Sequence, residues 1–383
     1  MSLRSNRVLK GAKGAYRLLE PLRSNTIFKA QSVHVPDAEP RFFMIKSAPP
    51  PTPQESIPKT PGQRSPAMER MALVREYEIH EGPGPVKTNP FIRKLHDVVG
   101  QWDMVEGRGR AGFDKTSEDP PCLVFEWMEH VLWNLRAEPY REKSVLPKMI
   151  ARSVLEALDI FASANAMHTD VNPNNIFLSN IDSASPVVKL GDLGNLMREG
   201  FNKYRIQPIG CRAPEVWRGL GCWPSSDIWS LGVTLAHWLG HKAIFGISDK
   251  VVEDLTESWC IAKIDRLIGP LGPPVQNPEY ESEFRMAGEL SMGTYIHPEI
   301  DGPVPYIDVS TLRQELESLS GPKVDPGLLD FIVSLLIVDH TKRPTAAEAL
   351  KHPYLHSTEV GNGVTALSIG PLPHLDDKDT VCK

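Results

Sequence analysis

The sequence predicts an α+β fold in which a small β-rich part is followed by a larger α-helical part. Near the N-terminus, turn residues alternate with short runs of β-favouring residues. Beyond Trp133, apolar residues instead recur at helical spacing, in the ranges 146–165, 226–240 and 327–338. There is no internal repeat, so neither a solenoid nor a propeller is predicted.

The predicted elements follow in chain order. Three strands come first, as an antiparallel meander over 16–19, 26–35 and 41–46. The stretch 47–66 holds seven prolines, which disfavour helix and sheet, so a loop is predicted there. A helix is expected over 67–79, because glycines and prolines at 82–85 stop the helical pattern. Further strands are predicted at 91–99 and 121–128.

The two ends of the chain are predicted to lie outside the fold. Residues 1–15 carry four basic residues and no acidic one, which indicates a solvated N-terminal arm rather than a transit peptide. Residues 356–383 are mostly small and polar, which predicts a disordered tail. The domain boundaries expected from this pattern are 16–128 for the β-rich part and 129–355 for the helical part.

Composition excludes several classes of partner. With 41% hydrophobic and 23% charged residues, the chain is expected to be a soluble globular protein. A net charge of −6 gives no basic surface for nucleic acid, and no apolar stretch approaches the roughly 20 residues that span a membrane. The five cysteines are scattered, which predicts neither a disulfide framework nor a zinc site and favours a reducing compartment.

The segment H-T-D-V-N-P-N-N at 168–175 is the most specific chemical signal, and D-L-G follows at 192–194. The two segments resemble the catalytic loop and the magnesium loop of protein kinases. The resemblance implies that Asp170 aligns the substrate hydroxyl and that Asn175 and Asp192 hold Mg²⁺. Taken alone, the first segment also fits small-molecule phosphotransferases.

Three later motifs narrow the resemblance. They are A-P-E at 213–215, D-I-W-S-L-G at 227–232 and R-P-T at 343–345, in the order found in protein kinases. The resemblance implies that Glu215 pairs with Arg343 and that Asp227 accepts hydrogen bonds from the catalytic-loop backbone. It also implies a bilobal kinase fold, with an N-lobe and hinge over 16–128 and a C-lobe over 129–355.

The N-terminal part supplies the partners of the nucleotide. F-M-I-K at 43–46 resembles the strand whose lysine neutralises the α and β phosphates of ATP, which implies that role for Lys46. In the family, this lysine pairs with a glutamate of the next helix. Glu76 is the candidate, with Glu78 as the alternative.

The segment L-V-F-E-W-M at 123–128 resembles the kinase hinge. The resemblance puts Phe125 at the gatekeeper position, and the backbones of Glu126 and Met128 against adenine. Ile27, on the second predicted strand, is also assigned to the nucleotide site.

Three departures from the family pattern predict slow turnover. The glycine-rich loop over the phosphates aligns with residues 20–25, which contain no glycine, while Pro21 removes an N–H and Glu20 repels phosphate. Met44 replaces a small residue over adenine and is expected to narrow the pocket. Asn172 stands where kinases carry a catalytic lysine, which removes positive charge where the transition state needs it.

The catalytic loop, the hinge and C-R-A-P-E at 211–215 are most similar to the CMGC group, and to SR-protein kinases in particular. This implies a monomeric serine/threonine protein kinase that uses ATP and Mg²⁺ on protein substrates, Arg-Ser-rich ones among them. We expect it in the cytoplasm, with the nucleus as an alternative. Two other hypotheses stay open: a pseudokinase that acts as a binding or scaffolding protein, and a small-molecule phosphotransferase.

Overall fold

The computed structural model describes residues 3–23, 25–33, 41–49, 65–105, 108–111, 119–183, 185–300 and 302–357. The chain divides into two compact units. The first unit holds Met1–Glu129 and Lys189–Leu196, and the second holds His130–Val188 and Met197–Lys383. Most of the predicted loop over 47–66, and the tail from residue 358 onward, lie outside the described residues.

The first unit consists mainly of β-strands with one long helix. Its strands are β1 Val8–Lys10, β2 Ala15–Arg23, β3 Ile27–Val33, β4 Phe42–Ser47, β5 Leu95–Val99, β6 Trp102–Val105, β7 Arg108–Ala111 and β8 Cys122–Glu126, and its helix is α1 Pro66–Glu81. Six strands form one antiparallel sheet in the order β1-β2-β3-β4-β8-β5. The predicted meander and helix are therefore confirmed. The hairpin of β6 and β7 was not predicted.

Alternation along β4 decides which side chains reach helix α1. Successive side chains of a strand point to opposite faces of the sheet. Phe43 and Ile45 belong to the core that also contains Tyr16 of β2. Met44 instead packs in the core that contains Leu73 of α1. The same alternation places Lys46 on the α1 side of the sheet.

The prediction of a solvated N-terminal arm is wrong. Val8–Lys10 pairs with the edge of β2, and Leu9 is completely buried, as is most of Leu3. Arg7 forms an ion pair with Asp119 at 2.9 Å. Basic residues did not prevent pairing, because in β1 the buried Leu9 alternates with the exposed Val8 and Lys10.

The second unit is mainly helical. Its helices are α2 Val145–Ser163, α3 Pro214–Trp217, α4 Pro224–Gly240, α5 Thr256–Leu267, α6 Pro278–Met292, α7 Leu312–Glu317, α8 Pro326–Leu335, α9 Ala346–Ala349 and α10 Pro353–His356. Its short strands are β9 His130–Val131, β10 Ala166–Met167, β11 Ile176–Ser179, β12 Val187–Leu190, which continues into the first unit, β13 Met197–Arg198, β14 Thr294–Ile296 and β15 Pro303–Pro305. The helices predicted over 146–165, 226–240 and 327–338 are confirmed as α2, α4 and α8. Within the described part of the chain, no helix is long and apolar enough to cross a membrane.

Helix α4 forms the centre of the second unit. It begins with Pro224, which suits the first helical position, and Ser226 Oγ accepts a hydrogen bond from the Trp223 N–H at 3.0 Å. It ends at His241, which adopts the left-handed conformation with φ 46°. Because α4 packs against both α2 and α8, nearly all of its side chains are buried, polar ones included. Those polar side chains need partners inside the unit.

Glu215 and Arg343 form the predicted buried ion pair. The guanidinium binds both carboxylate oxygens, with Nη1–Oε1 at 2.9 Å and Nη2–Oε2 at 3.0 Å, and the side chains are 1% and 0% exposed. Ser226 Oγ donates to Glu215 at 2.5 Å, and Arg343 also binds the Ser225 carbonyl at 2.7 Å. The pair joins α3, the start of α4 and the segment before α9.

Replacing Arg343 by Met should strand the buried Glu215 carboxylate and lower the free energy of unfolding by about 3–5 kcal/mol. Urea denaturation followed by tryptophan fluorescence measures the change. Arg313→Met is the matched control, because Arg313 pairs with Asp330 on the surface and its loss should cost about 1 kcal/mol or less. Equal losses in the two variants would contradict the prediction.

His237 of α4 is buried in its neutral form. Its Nε2 accepts a hydrogen bond from the Phe245 N–H at 3.2 Å, so this nitrogen carries no proton. Burial, helped by the nearby charge of Lys263, lowers the pKa of His237 from 6.5 to about 3. Between these two pKa values, His237 therefore binds a proton in the unfolded chain but not in the folded one.

Lowering the pH from 7 to 5.5 should reduce the free energy of unfolding, because the unfolded histidine binds a proton and the folded one does not. At pH 5.5, about one unit below the ordinary pKa, the loss from His237 amounts to about 1.4 kcal/mol. In His237→Gln, which keeps an acceptor for Phe245, the difference between the two pH values should shrink by that amount. His297→Gln is the control, because His297 lies in the second unit but is only half-buried, and its pH difference should match that of the wild type. An unchanged pH difference in His237→Gln would refute the assignment of His237 as a buried neutral histidine.

Candidate active site

A half-buried lysine lies between two carboxylates in the first unit. Lys46 Nζ is 2.6 Å from Glu76 Oε2 and 2.8 Å from Asp192 Oδ1. Glu76 comes from the middle of α1, which Ser65 caps by accepting a hydrogen bond from the Met68 N–H. The structure thus pairs Lys46 with Glu76, and their catalytic roles stay predictions.

Lys46 is charged at neutral pH. Burial favours the neutral amine, but the carboxylates of Asp192 and Glu76 outweigh it and raise the pKa of Lys46 above its ordinary value. The Lys46 side chain keeps 15% exposure and that of Asp192 keeps 27%. A cation and a carboxylate therefore reach the surface of the first unit side by side, which suits a phosphate group and its metal ion.

The D-L-G segment is held to helix α1 through its backbone. The Leu193 N–H donates to Glu76 Oε1 at 3.1 Å, and Arg75 Nη1 donates to the Gly194 carbonyl at 3.0 Å. A Cβ at Gly194 would lie 2.7 Å from the Ala72 carbonyl oxygen, so only glycine fits this approach. Asp192 adopts a left-handed conformation with φ 60°. Helix α1 thus fixes both Lys46 and Asp192.

The predicted hinge begins on strand β8. Phe125 is 2% exposed and packs edge-on against His80 of α1, with Ile27 of β3 against the same core. Met128 is also buried. The side chain of Glu126 accepts two hydrogen bonds from Lys189 Nζ, at 2.7 and 2.9 Å, and one from the Lys94 N–H at 2.7 Å.

Arg93 is a residue of this region that the sequence analysis did not single out. It is only 3% exposed, and its guanidinium donates to the Glu126 carbonyl from Nε at 3.1 Å and from Nη2 at 2.9 Å. Its Nη1 lies 3.1 Å from Met44 Sδ. The sequence signal for this residue was a charged side chain directly after Ile92, inside the strand predicted over 91–99. Lys189, which holds the Glu126 side chain, was not singled out either. In both cases the partner of the side chain is distant in sequence.

Residues 20–25 align with the glycine-rich loop of kinases, and 20–23 of them form the end of β2. Pro21 pairs with Phe28 and Arg23 with Ile27, with irregular register on either side of Pro21. Glu20 lies 3.9 Å from Lys29. Ser24 lies outside the described residues, and the expected loss of phosphate binding by this segment stays a prediction.

The predicted catalytic loop lies in the second unit and is anchored by Asp227 of α4. The His168 N–H donates to Asp227 Oδ2 at 2.6 Å, and the Thr169 N–H donates to Oδ1 at 2.9 Å. These are the predicted hydrogen bonds. Thr169 has φ 61°, a conformation that a β-branched residue adopts only when its surroundings impose it.

Two asparagines hold Asp170 in place. Asn172 Nδ2 donates to Asp170 Oδ1 at 2.8 Å and to its carbonyl at 2.9 Å, while Asn175 Nδ2 donates to the same carbonyl at 2.8 Å. Asn172 Oδ1 in turn accepts from the Asn174 N–H at 2.9 Å. The Asp170 carboxylate is thus oriented by a neutral amide rather than by the lysine that kinases carry here.

Within the described ranges, no group of three or more His, Cys, Asp or Glu side chains is arranged to hold a metal ion. Mg²⁺ keeps several waters and takes only one or two protein carboxylates, so a smaller donor set is compatible with it. The partly exposed carboxylate of Asp192 is such a donor. The assignment of Asn175 and Asp192 as Mg²⁺ ligands stays a prediction.

Residues 63–355, more than half of the chain, match the model of the protein kinase domain. The chain belongs to the protein kinase family. A solved structure that covers 90% of this chain and 93% of its own, that of the yeast RNA Pol II CTD kinase CTDK-1 complex, matches with a TM-score of 0.55 and 17% identity. That likeness supports the predicted fold, with a β-rich N-lobe and a helical C-lobe.

Curated relatives of this kinase chain are CMGC-type kinases. The serine/threonine-protein kinase ssn3 of Aspergillus terreus is 26% identical over 361 residues, which cover 88% of this chain and 75% of the relative. The serine/threonine-protein kinase AFC1 of Arabidopsis thaliana is 26% identical over 265 residues, 61% of this chain and 54% of the relative. A putative dual specificity tyrosine-phosphorylation-regulated kinase 3 homolog of Drosophila melanogaster is 30% identical over 63% of this chain. The match thus spans about half the length of AFC1 and 30% of the Drosophila relative.

Proposed function

We propose that the chain is a serine/threonine protein kinase that transfers the γ-phosphate of ATP to a protein hydroxyl with the help of Mg²⁺. The observation that carries the proposal is Lys46, held charged between Glu76 and Asp192. Phosphoryl transfer needs positioned cations around the triphosphate, and a kinase requires this lysine–glutamate pair to be formed. The names of the relatives agree with the proposal.

The proposal assigns a role to each predicted site residue. Lys46 binds the α and β phosphates, and Glu76 keeps its ammonium group in position. Asp192 and Asn175 hold Mg²⁺, which neutralises charge on the phosphates when it is bound. Asp170 accepts a hydrogen bond from the substrate hydroxyl and orients its oxygen, and Asn172 and Asn175 fix the orientation of Asp170.

The proposed kinase is slow, because Asn172 orients Asp170 without supplying a charge. Negative charge accumulates on the transferring phosphoryl group, and a fixed cation near it stabilises the transition state. In this catalytic loop the amide of Asn172 takes the place of that cation.

The finer assignment to SR-protein kinases belongs to this proposal as well. It rests on the H-T-D catalytic loop and on the similarity to CMGC-type relatives, and it implies Arg-Ser-rich protein substrates. A monomer is the simplest functional form, since Lys46, Glu76, Asp170 and Asp192 all come from one chain.

Asp170→Asn should lower the rate of phosphate transfer by about 10²–10⁴-fold, because the amide cannot accept the hydroxyl proton. Transfer of labelled γ-phosphate to the protein itself, to an Arg-Ser-rich peptide and to a generic basic peptide measures it, with Mg²⁺ or Mn²⁺. Asp182→Asn, on the surface of the same unit, is the control and should keep full activity. Absence of transfer by the folded wild type with both metals would reject the proposal and favour a pseudokinase.

Asn172→Lys should raise kcat by about tenfold, since it returns a cation to the site of transition-state charge. Asn174→Lys is the matched control: it adds the same charge two residues away, on an exposed side chain, and should change kcat little. Steady-state kinetics at saturating ATP compare the variants. A fall in kcat for Asn172→Lys would show that the amide contacts with Asp170 matter more than the missing charge.

A further inference from the structure

The backbone carbonyl of Glu126 is already occupied within the first unit. A carbonyl oxygen has two lone pairs, and Arg93 donates to this oxygen from both Nε, at 3.1 Å, and Nη2, at 2.9 Å. Hydrogen bonds from a charged donor are stronger than those from a neutral one. A neutral amino group therefore competes poorly for this oxygen.

Arg93 is held firmly in this position. Its guanidinium lies 5.9 Å from the ring centre of Phe125, and Nη1 contacts Met44 Sδ at 3.1 Å. With 3% exposure, the side chain has no route to water that leaves these neighbours undisturbed. A buried guanidinium that loses its acceptor costs several kcal/mol, so Arg93 does not leave the carbonyl readily.

Glu126 is fixed as well. Its carboxylate accepts hydrogen bonds from Lys189 Nζ and from the Lys94 N–H, on both sides of the residue. The peptide group that carries the carbonyl therefore has little freedom to turn toward a second donor. The arrangement is a feature of β8 and its neighbours, and all of its residues lie in the first unit.

This occupied carbonyl bears on nucleotide choice. The resemblance to the kinase hinge implies that the Glu126 backbone lies against adenine, and the inference rests on that placement and on the proposed function. Adenine carries a 6-amino group, which is a donor and needs an acceptor, whereas unsubstituted purine keeps the N1 acceptor of adenine and carries no polar group at position 6. A site selects one from the other mainly by offering the matching partner, because an unmatched polar group is left unpaired.

We propose that Arg93 is a specificity-determining residue: by using the Glu126 carbonyl, it removes the hydrogen bond that would select a 6-aminopurine, so the chain binds purine riboside triphosphate, which lacks the 6-amino group, about as well as ATP. Met44, in contact with the same guanidinium, keeps Arg93 on the carbonyl.

Binding of ATP and of purine riboside triphosphate to the full chain tests the proposal, since these nucleotides differ only in the 6-amino group. Isothermal titration calorimetry in the presence of Mg²⁺ gives the ratio of their dissociation constants. For the wild type, we expect a ratio within about twofold of one. In Arg93→Val, which frees the carbonyl, ATP should gain about three- to tenfold over purine riboside triphosphate, the effect of one hydrogen bond. Arg17→Val, on the exposed face of β2, is the matched control and should keep the wild-type ratio.

Two results would overturn the proposal. One is a wild type that prefers ATP by more than tenfold, which needs no variant and decides the matter even if Arg93→Val does not fold. The other is a folded Arg93→Val that gives the wild-type ratio, or a folded wild type that binds neither nucleotide. Failure of the kinase proposal shows differently: nucleotides then bind with a ratio near one, and no phosphate is transferred.

Discussion

The contact of Lys46 with Glu76 and Asp192 ties together the three elements of the first unit that carry chemistry. Strand β4 supplies the cation, helix α1 supplies one carboxylate, and the segment after β12 supplies the other. A buried ammonium is tolerable only with such partners, and a buried glutamate that is 1% exposed is tolerable only with such a cation. The position of α1 on the sheet and the conformation of D-L-G therefore depend on one another.

In the second unit, buried carboxylates are likewise satisfied by hydrogen-bond donors, but these donors come from a different set of residues. Asp227 sits at the start of the buried helix α4, where two backbone N–H groups of the catalytic loop satisfy its carboxylate. Glu215 is satisfied by Arg343 and by Ser226. These contacts hold the loop around Asp170 in a conformation that includes a left-handed threonine, so burial of α4 sustains the strained backbone of the catalytic loop.

Two polar side chains of the predicted site, Asn172 and Arg93, each satisfy another polar group inside the chain. Asn172 orients Asp170 through its amide, and Arg93 occupies the carbonyl of Glu126. Each substitution leaves the local backbone well paired, so the fold does not suffer. The proposed effects are instead on transition-state charge for Asn172 and on the choice of purine for Arg93. The hydrogen bonds of Asn172 and Arg93 thus preserve the fold, while the identity of these residues bears on the proposed function.

Periodicity and contiguous motifs account for what the sequence determined by itself. Helices α2, α4 and α8 and strands β2 to β4 were predicted because each rests on a local pattern of apolar residues. The ion pair of Glu215 with Arg343 was predicted from the resemblance of their motifs to those of protein kinases. Strand β1 was mistaken for a solvated arm, since three residues are too few to show a period. The β6–β7 hairpin was missed.

Only the tertiary structure decided how the hinge is paired. Arg93 lies 33 residues from Glu126, and Lys189 lies 63 residues from it, so no local pattern joins them. Hydrogen bonds between distant segments depend on which strands become neighbours and on which side chains burial forces to find a partner. Sequence motifs therefore indicated the type of chemistry, and the folded sheet decided which groups remain available to a nucleotide.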